Sequence, residues 1–153
     1  MKLGLLSDTH GYFDPRLDQV FAGVDHILHA GDIGSEILIA QLEALAPVTP
    51  VLGNTDYSPT YPLTQVVSLG GRKFLVQHIV SPRAPDAELE VRLARERPDF
   101  VIFGHSHKTC DETIRGVRFV NPGYAGRRRF HEPRSVALLD LDNERSTLRF
   151  VEL

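Results

Sequence analysis

The chain has 153 residues, 42% of them hydrophobic, a formal charge of −3 and one cysteine, Cys110. That length and apolar content suffice for one domain, residues 1–153, with a buried core. The mild acidity argues against a general nucleic-acid or anionic-membrane binder; the lone cysteine excludes an internal disulfide and fits a reducing, cytoplasmic setting.

Residues 3–6 form a short apolar run ending at Ser7-Asp8-Thr9-His10-Gly11, which predicts a buried strand followed by a turn. The run is shorter than the roughly 7–15 apolar residues of a signal peptide, and no stretch approaches the ~18 needed to span a membrane. Asp14-Pro15 marks a helix start; Leu17, Val20 and Phe21 share its face and Gly23 stops it. Residues 24–30 predict a second strand, ending in Gly31-Asp32. Ser35 is placed to cap a second helix with Leu38, Leu42 and Leu45 on one face and Pro47 at its end. Residues 48–52 predict a third strand, ending in Gly53-Asn54. Such β-α-β-α-β order implies parallel strands with right-handed crossovers, and ligands of such sheets bind beyond the carboxyl ends of the strands.

Residues 57–63 read as a surface loop. Residues 64–69 and 72–77 flank Gly70-Gly71 as a hairpin, and His78 follows directly. Residues 86–97 predict a helix with Leu89 and Leu93 inward, ended by Pro98. Residues 99–103 predict a strand that runs into Gly104-His105-Ser106-His107. The segments 110–114, 117–120, 135–141 and 146–151 read as short strands and are expected to form a second, antiparallel sheet, whose open edge is compatible with a homo-oligomer.

Asp8, His10, Asp32, Asn54, His78, His105 and His107 each lie where an apolar run ends. Carboxylates, a carboxamide and imidazoles are an N/O donor set for divalent transition metals. Seven donors exceed one tetrahedral site and suit two sites if a carboxylate bridges. In an extended segment, alternate residues face one way, so Asp8 with His10, and His105 with His107, are each expected to share a side. Glycines 11, 31, 53 and 104 allow sharp turns beside them. Two divalent cations carry more charge than Asp8 and Asp32 cancel, and the surplus attracts an anionic phosphate. Without metal, four clustered imidazoles repel once protonated.

In order, Asp-x-His, Gly-Asp, Gly-Asn-x-Asp, a histidine after a strand, and Gly-His-x-His resemble the calcineurin-like metallophosphoesterase family. Asn121-Pro122-Gly123 is similar to the family's Asn-Pro-Gly turn. Gly53-Asn54-Thr55-Asp56 and the short length look most like its small bacterial and archaeal phosphodiesterases, a branch that also holds the retromer subunit. The resemblance implies an α/β, four-layer αββα sandwich. It implies that Asp8, His10, Asp32 and His107 hold one metal and that Asp32, Asn54, His78 and His105 hold the second, with Asp32 as bridge. It implies a phosphodiesterase acting through a metal-bridged hydroxide, with Asp32, Asn54 and His105 at the reacting centre. The family's ions are Mn²⁺, Fe, Zn²⁺, Ni²⁺ or Mg²⁺, and the imidazole count favours Mn²⁺, Fe, Ni²⁺ or Zn²⁺ over a pure Mg²⁺ site. Alternatives are a phosphomonoesterase or nucleotide phosphatase, a nuclease using Arg127, Arg128 and Arg129, and a non-catalytic scaffold of the retromer-subunit type.

Three departures from the family stand out. Thr55 replaces a common histidine that protonates the leaving group, and Ser35 lies where that histidine's acidic partner is expected. His78-Ile79-Val80 replaces His-Gly-His. Tyr124 follows Asn-Pro-Gly where serine is commoner, and its ring is expected to flank the substrate, with Thr55 and Arg127 as further contacts. The remaining candidates take bland readings: Cys110, His26 and His29 structural, with His29 an option behind Asp32; His131 on the surface; Asp56 supporting rather than catalytic. Tyr12 and Phe13 read equally as loop packing or substrate platform, and the arginine run as a solvated loop or a phosphate patch.

Overall fold

A computed structural model describes residues 1–143 and 145–153. Its elements are β1 (Lys2–Leu6), α1 (Leu17–Val20), β2 (His26–His29), α2 (Glu36–Glu43), β3 (Val48–Pro50), β4 (Thr64–Leu69), β5 (Arg72–Gln77), α3 (Ala87–Glu96), β6 (Phe100–Ile102), β7 (Cys110–Ile114), β8 (Val117–Asn121), β9 (Ser135–Leu141) and β10 (Ser146–Glu152). They form two five-stranded sheets, ordered β10-β9-β1-β2-β3 and β4-β5-β6-β8-β7. In the first, β1, β2 and β3 run parallel and β9 and β10 add antiparallel strands. In the second, β5, β6 and β8 run parallel between antiparallel β4 and β7.

The expected antiparallel second sheet of residues 110–151 therefore does not form. β9 pairs with β1, while β8 pairs in parallel with β6. The reason lies in burial: alternate residues Ala137, Leu139 and Leu141 extend the apolar face of Leu3 and Leu5, so β9 belongs beside β1.

Three apolar layers define four structural ones. Between the sheets lie Leu3, Leu5, Leu28 and Val51 on one side and Phe74, Val76, Ile102 and Val120 on the other. Phe74 and Phe100 stack there with ring centroids 4.8 Å apart. Against the outer face of the first sheet, Leu17 and Phe21 of the α1 region and Leu38, Ile39 and Leu42 of α2 pack on Leu6, Ile27 and Leu138. Leu89 of α3 packs with Leu75, Val101 and Phe119 on the outer face of the second. The order is the αββα sandwich.

Helix ends follow the caps. Ser35 Oγ accepts the Ile37 N–H and Asp86 accepts the Leu89 N–H, while Arg97 in the left-handed conformation closes α3. The first helix is shorter than its pattern predicts. Asp14 does not cap a helix; its carboxylate binds the Arg16 N–H and guanidinium and also the guanidinium of buried Arg134. That triangle spends the chain after Asp14 in a turn, and one helical turn remains. No helix among the described residues is long and apolar enough to cross a membrane.

His29, at the end of β2, is fully buried. Its Nδ1 accepts the Gly31 N–H at 3.2 Å, so its Nε2 carries the proton toward Thr9 Oγ1 at 2.8 Å, which in turn donates to the Ile33 carbonyl at 3.0 Å. Burial pushes its pKa down to about 3. In the unfolded chain it titrates near ~6.5, so acidification protonates the unfolded state first. Stability is fully present above that value and falls as pH drops toward 3. Denaturant titrations should show wild type losing more stability between pH 6 and pH 4 than His29→Gln, by up to about 1.4 kcal/mol per pH unit. Parallel profiles would contradict this assignment.

Candidate metal centre

The parallel strands of both sheets deliver their carboxyl ends to one edge. Asp8 and His10 follow β1, Asp32 follows β2, Asn54 follows β3, His78 follows β5, and His105 and His107 follow β6. Backbone bonds carry the β1–β2 pairing onward: the Asp8 N–H reaches the Gly31 carbonyl at 3.0 Å and the His10 N–H reaches the Asp32 carbonyl at 2.9 Å. Asp8 Oδ2 accepts the His105 N–H at 3.1 Å and so ties the two sheets together.

The pleated geometry expected for Asp8-x-His10 and His105-x-His107 is not what brings these side chains together. Asp8, His10, His105 and His107 have φ of 56°, 47°, 68° and 59°, and Asp32 has 52°. Five non-glycine residues in left-handed backbone cost energy, and such strain persists where the surroundings over-determine it. Two glycines supply closeness instead. A Cβ on Gly53 would stand 2.1 Å from Asp32 Oδ1, and one on Gly104 would stand 1.9 Å from Ser7 Oγ.

Five of the seven candidates converge. Asp8, His10 and His107 form one set of mutually close donor atoms, and Asp8, Asp32 and His78 another. His107 Nε2 lies 3.2 Å from Asp8 Oδ1; His78 Nε2 lies 3.4 Å from Asp32 Oδ1 and 3.9 Å from Asp8 Oδ1; His10 Nε2 lies 3.8 Å from Asp32 Oδ2. Asn54 and His105 sit at the open edge, where His105 Nδ1 meets Asn54 Oδ1 at 3.0 Å and the His105 ring stands edge-on to His78.

Hydrogen bonding fixes the tautomers of two histidines. His78 Nδ1 donates to the Ala30 carbonyl at 2.7 Å, and His107 Nδ1 donates to the Glu132 carboxylate. Both bonds place a proton on Nδ1 and turn Nε2 toward carboxylate oxygens. Asp8 Oδ1, His10 Nε2 and His78 Nε2 are buried with no hydrogen-bond partner. Buried carboxylate and imidazole atoms left without partners and close to one another fit a cation. Burial raises the Asp8 pKa despite help from Ser7 and the histidines. Burial also works to raise Asp32, but the Thr55 bonds, His78 and His10 together hold it below the usual carboxylate range.

Other residues support this edge. Asp56, as expected, binds none of the converging donors: it accepts the N–H groups of Ile33, Gly34 and Gly53 and joins two loops. Thr55 is exposed and donates its N–H to Asp32 Oδ1 at 3.0 Å. His29 touches Thr9 and Gly31, not the Asp32 side chain. Tyr124 corrects an expectation: its ring is fully buried, stacked on His107 at 4.6 Å, with its hydroxyl donating to the Arg127 carbonyl. A residue so enclosed packs His107 in place and offers no face to a substrate. The exposed Arg127 guanidinium lies over the Tyr12 ring, 5.0 Å from its centroid, and Arg129 lies 5.4 Å from that of Tyr124. Sequence reasoning missed Glu132 and Arg134. No pattern marks Glu132, which stands beyond a loop of three arginines. Asn121 was read only as part of a turn; buried, it holds the Gly104 carbonyl and Ser106 Oγ.

The sequence model of the calcineurin-like phosphoesterase superfamily domain matches residues 1–144. The probable metallophosphoesterase YsnB of Bacillus subtilis is 32% identical, over 99% of this chain and 91% of its own. The phosphodiesterase MJ0936 of Methanocaldococcus jannaschii is 26% identical over 80% of this chain and 83% of its own. Among solved structures, Vps29 of Entamoeba histolytica, complexed with Zn²⁺, superposes with a TM-score of 0.76 at 23% identity, covering 99% of each chain. Fold, motif order and these matches agree: the chain belongs to the calcineurin-like phosphoesterase superfamily and is a phosphoric ester hydrolase of that family.

Proposed function

We propose that residues 1–153 act as one dinuclear-metal phosphodiesterase unit. The observation that carries this reading is the set of buried, unpartnered donors, Asp8 Oδ1, His10 Nε2 and His78 Nε2, aimed at one another. Asp8, His10, Asp32 and His107 hold the first ion, and Asp32, Asn54, His78 and His105 the second. Asp32 would be shared between the two sites: its Oδ2 faces His10 while its Oδ1 faces His78. Asp8 also belongs to both close donor sets, with its Oδ1 nearer to His107 Nε2, at 3.2 Å, than to His78 Nε2, at 3.9 Å. Bound divalent ions, Mn²⁺ foremost and Fe, Ni²⁺, Zn²⁺ or Mg²⁺ as alternatives, supply Lewis acidity toward a phosphoryl oxygen and acidify water. The chain's own residues fix the donors: Ala30 and Glu132 set two tautomers, Thr55 orients Asp32, and Tyr124 backs His107. A phosphodiester is preferred to a monoester because a relative of this family carries that activity in its name. The fold shared with Vps29, itself solved with Zn²⁺, keeps a binding scaffold in view, and turnover separates the two readings.

Turnover of a generic aryl phosphodiester should require added Mn²⁺ or a comparable ion, vanish with chelator, and fall at least about a hundredfold in Asp32→Ala. Metal analysis should find two ions per chain. Turnover that persists in chelator would refute the reading.

Glu132 acts through His107. Glu132→Ala should weaken metal affinity about 10–100-fold in direct metal titration, with partial rescue in Glu132→Gln, whose carbonyl still accepts the Nδ1 proton.

Thr55 has no titratable group for the leaving oxygen. Its side chain stands exposed beside Asn54, so Thr55→His has room to act as general acid. That variant should speed alkyl esters relative to aryl esters by about tenfold or more; an unchanged ratio would count against Thr55 as the missing acid's position.

A further inference from the structure

A cavity of about 240 Å³ opens directly beside the metal centre, with Asn54 and His78 in its wall. It is bounded by the carboxyl end of β5, the start of β4 and one face of α3. Its rim carries two large apolar side chains that the core does not use, Leu63 and Ile79, at 68% and 50% exposure. Ile79 also stands in the place of the glycine of the family's usual His-Gly-His. Exposed apolar side chains facing a cleft mark a ligand surface more than scattered ones do.

The polar part of the cavity is internally satisfied. Arg92 of α3 donates to Thr64 Oγ1, to Gln77 Oε1 at 3.0 Å and to the Glu88 carboxylate. Gln77 spends its amide on the Ile79 carbonyl at 3.1 Å. Glu88 cancels the Arg92 charge, so the cavity offers no free cation for a second phosphate. Its volume is below the roughly 300–1,000 Å³ of sites that enclose a whole drug-sized ligand. It suits one arm of a substrate whose phosphorus sits on the adjoining donors.

We propose that this cavity is a specificity subsite for an uncharged, ring-bearing ester arm, aryl or nucleoside, which lies between Leu63 and Ile79. The inference rests on the assignment of Asn54 and His78 to the reacting centre. It gives one change in the His-Gly-His motif a purpose: Ile79, in the place of the glycine, adds apolar surface to this wall.

The test is binding, so it does not depend on turnover. Methyl phosphate, phenyl phosphate and thymidine 5′-phosphate are titrated into the Zn²⁺-loaded protein, with amide shifts followed by NMR. Phenyl phosphate should bind about tenfold or more tightly than methyl phosphate, with the largest shifts at Leu63, Gln77 and Ile79. The double variant Leu63→Asp, Ile79→Asp, altered only at exposed positions, should bring the two affinities together. Thymidine 5′-phosphate binding as tightly as phenyl phosphate extends the subsite to nucleosides. Equal affinities in wild type, or a preference that survives in the double variant, overturn the subsite. If phenyl phosphate is preferred while no aryl phosphodiester is hydrolysed with any metal, the diesterase reading falls and the subsite stands.

Discussion

Imidazole Nε2 atoms turned toward buried carboxylates are the constraint around which the rest of this molecule is arranged. His78 and His107 each donate their Nδ1–H in a hydrogen bond, to the Ala30 carbonyl and to Glu132. On the inner side Asp8 Oδ1, His10 Nε2 and His78 Nε2 have no hydrogen-bond partner. Leaving a buried carboxylate without full partners is costly, and burial accordingly raises the Asp8 pKa. The divalent ions that the family uses would offset that cost.

Holding that cluster takes a stiff frame, and the frame is the pair of three-stranded parallel cores. β1, β2 and β3 present one half of the donors, β5 and β6 the other. The apolar layer between the sheets sets how far apart the halves lie, while the Asp8 bond to the His105 N–H sets their register. Antiparallel β4, β7, β9 and β10 serve as flanks and contribute no donor.

Much of this was legible from residues 1–107, because periodicity reports burial locally. The hairpin of β4 and β5 falls on its predicted residues, and Ser35 caps α2 as its position requires. Three failures share a physical cause: each was decided by distant contacts. Residues 135–141 read correctly as a strand, but nothing local says that it joins β1 rather than β7 or β8. Asp14-Pro15 signals a helix start, yet the Asp14 carboxylate is taken by Arg16 and, from 120 positions away, by Arg134, and the helix begins only at Leu17. Asp8 and His10 face one centre as expected, but through left-handed turns; alternation along a strand gives the right neighbours for the wrong backbone.

The loop after β8 shows why the site's support escaped detection more thoroughly than its donors. A metal ligand must be one of a few residue types, so order and spacing expose it. A supporting residue needs only to touch a ligand, and many types qualify. Tyr124 stacks on His107, Glu132 accepts the hydrogen bond from its Nδ1–H, and Tyr124's hydroxyl donates to the Arg127 carbonyl. Arg134 then anchors the same loop to Asp14 and the Gly126 carbonyl. Its charge, with that of Arg16, holds Asp14 well below the usual carboxylate range, so the anchor survives down to acid conditions that protonate ordinary carboxylates. The tyrosine that departs from the family's commoner serine thus sits within a connected supporting network. Its consequence is an asymmetric centre: exposed arginines lie beside Tyr12 and Tyr124 on the His10–His107 flank, and a charge-balanced apolar cavity lies on the Asn54–His78 flank. Under the proposed activity, such a centre would distinguish the two arms of a phosphodiester, because its two flanks differ in charge and polarity.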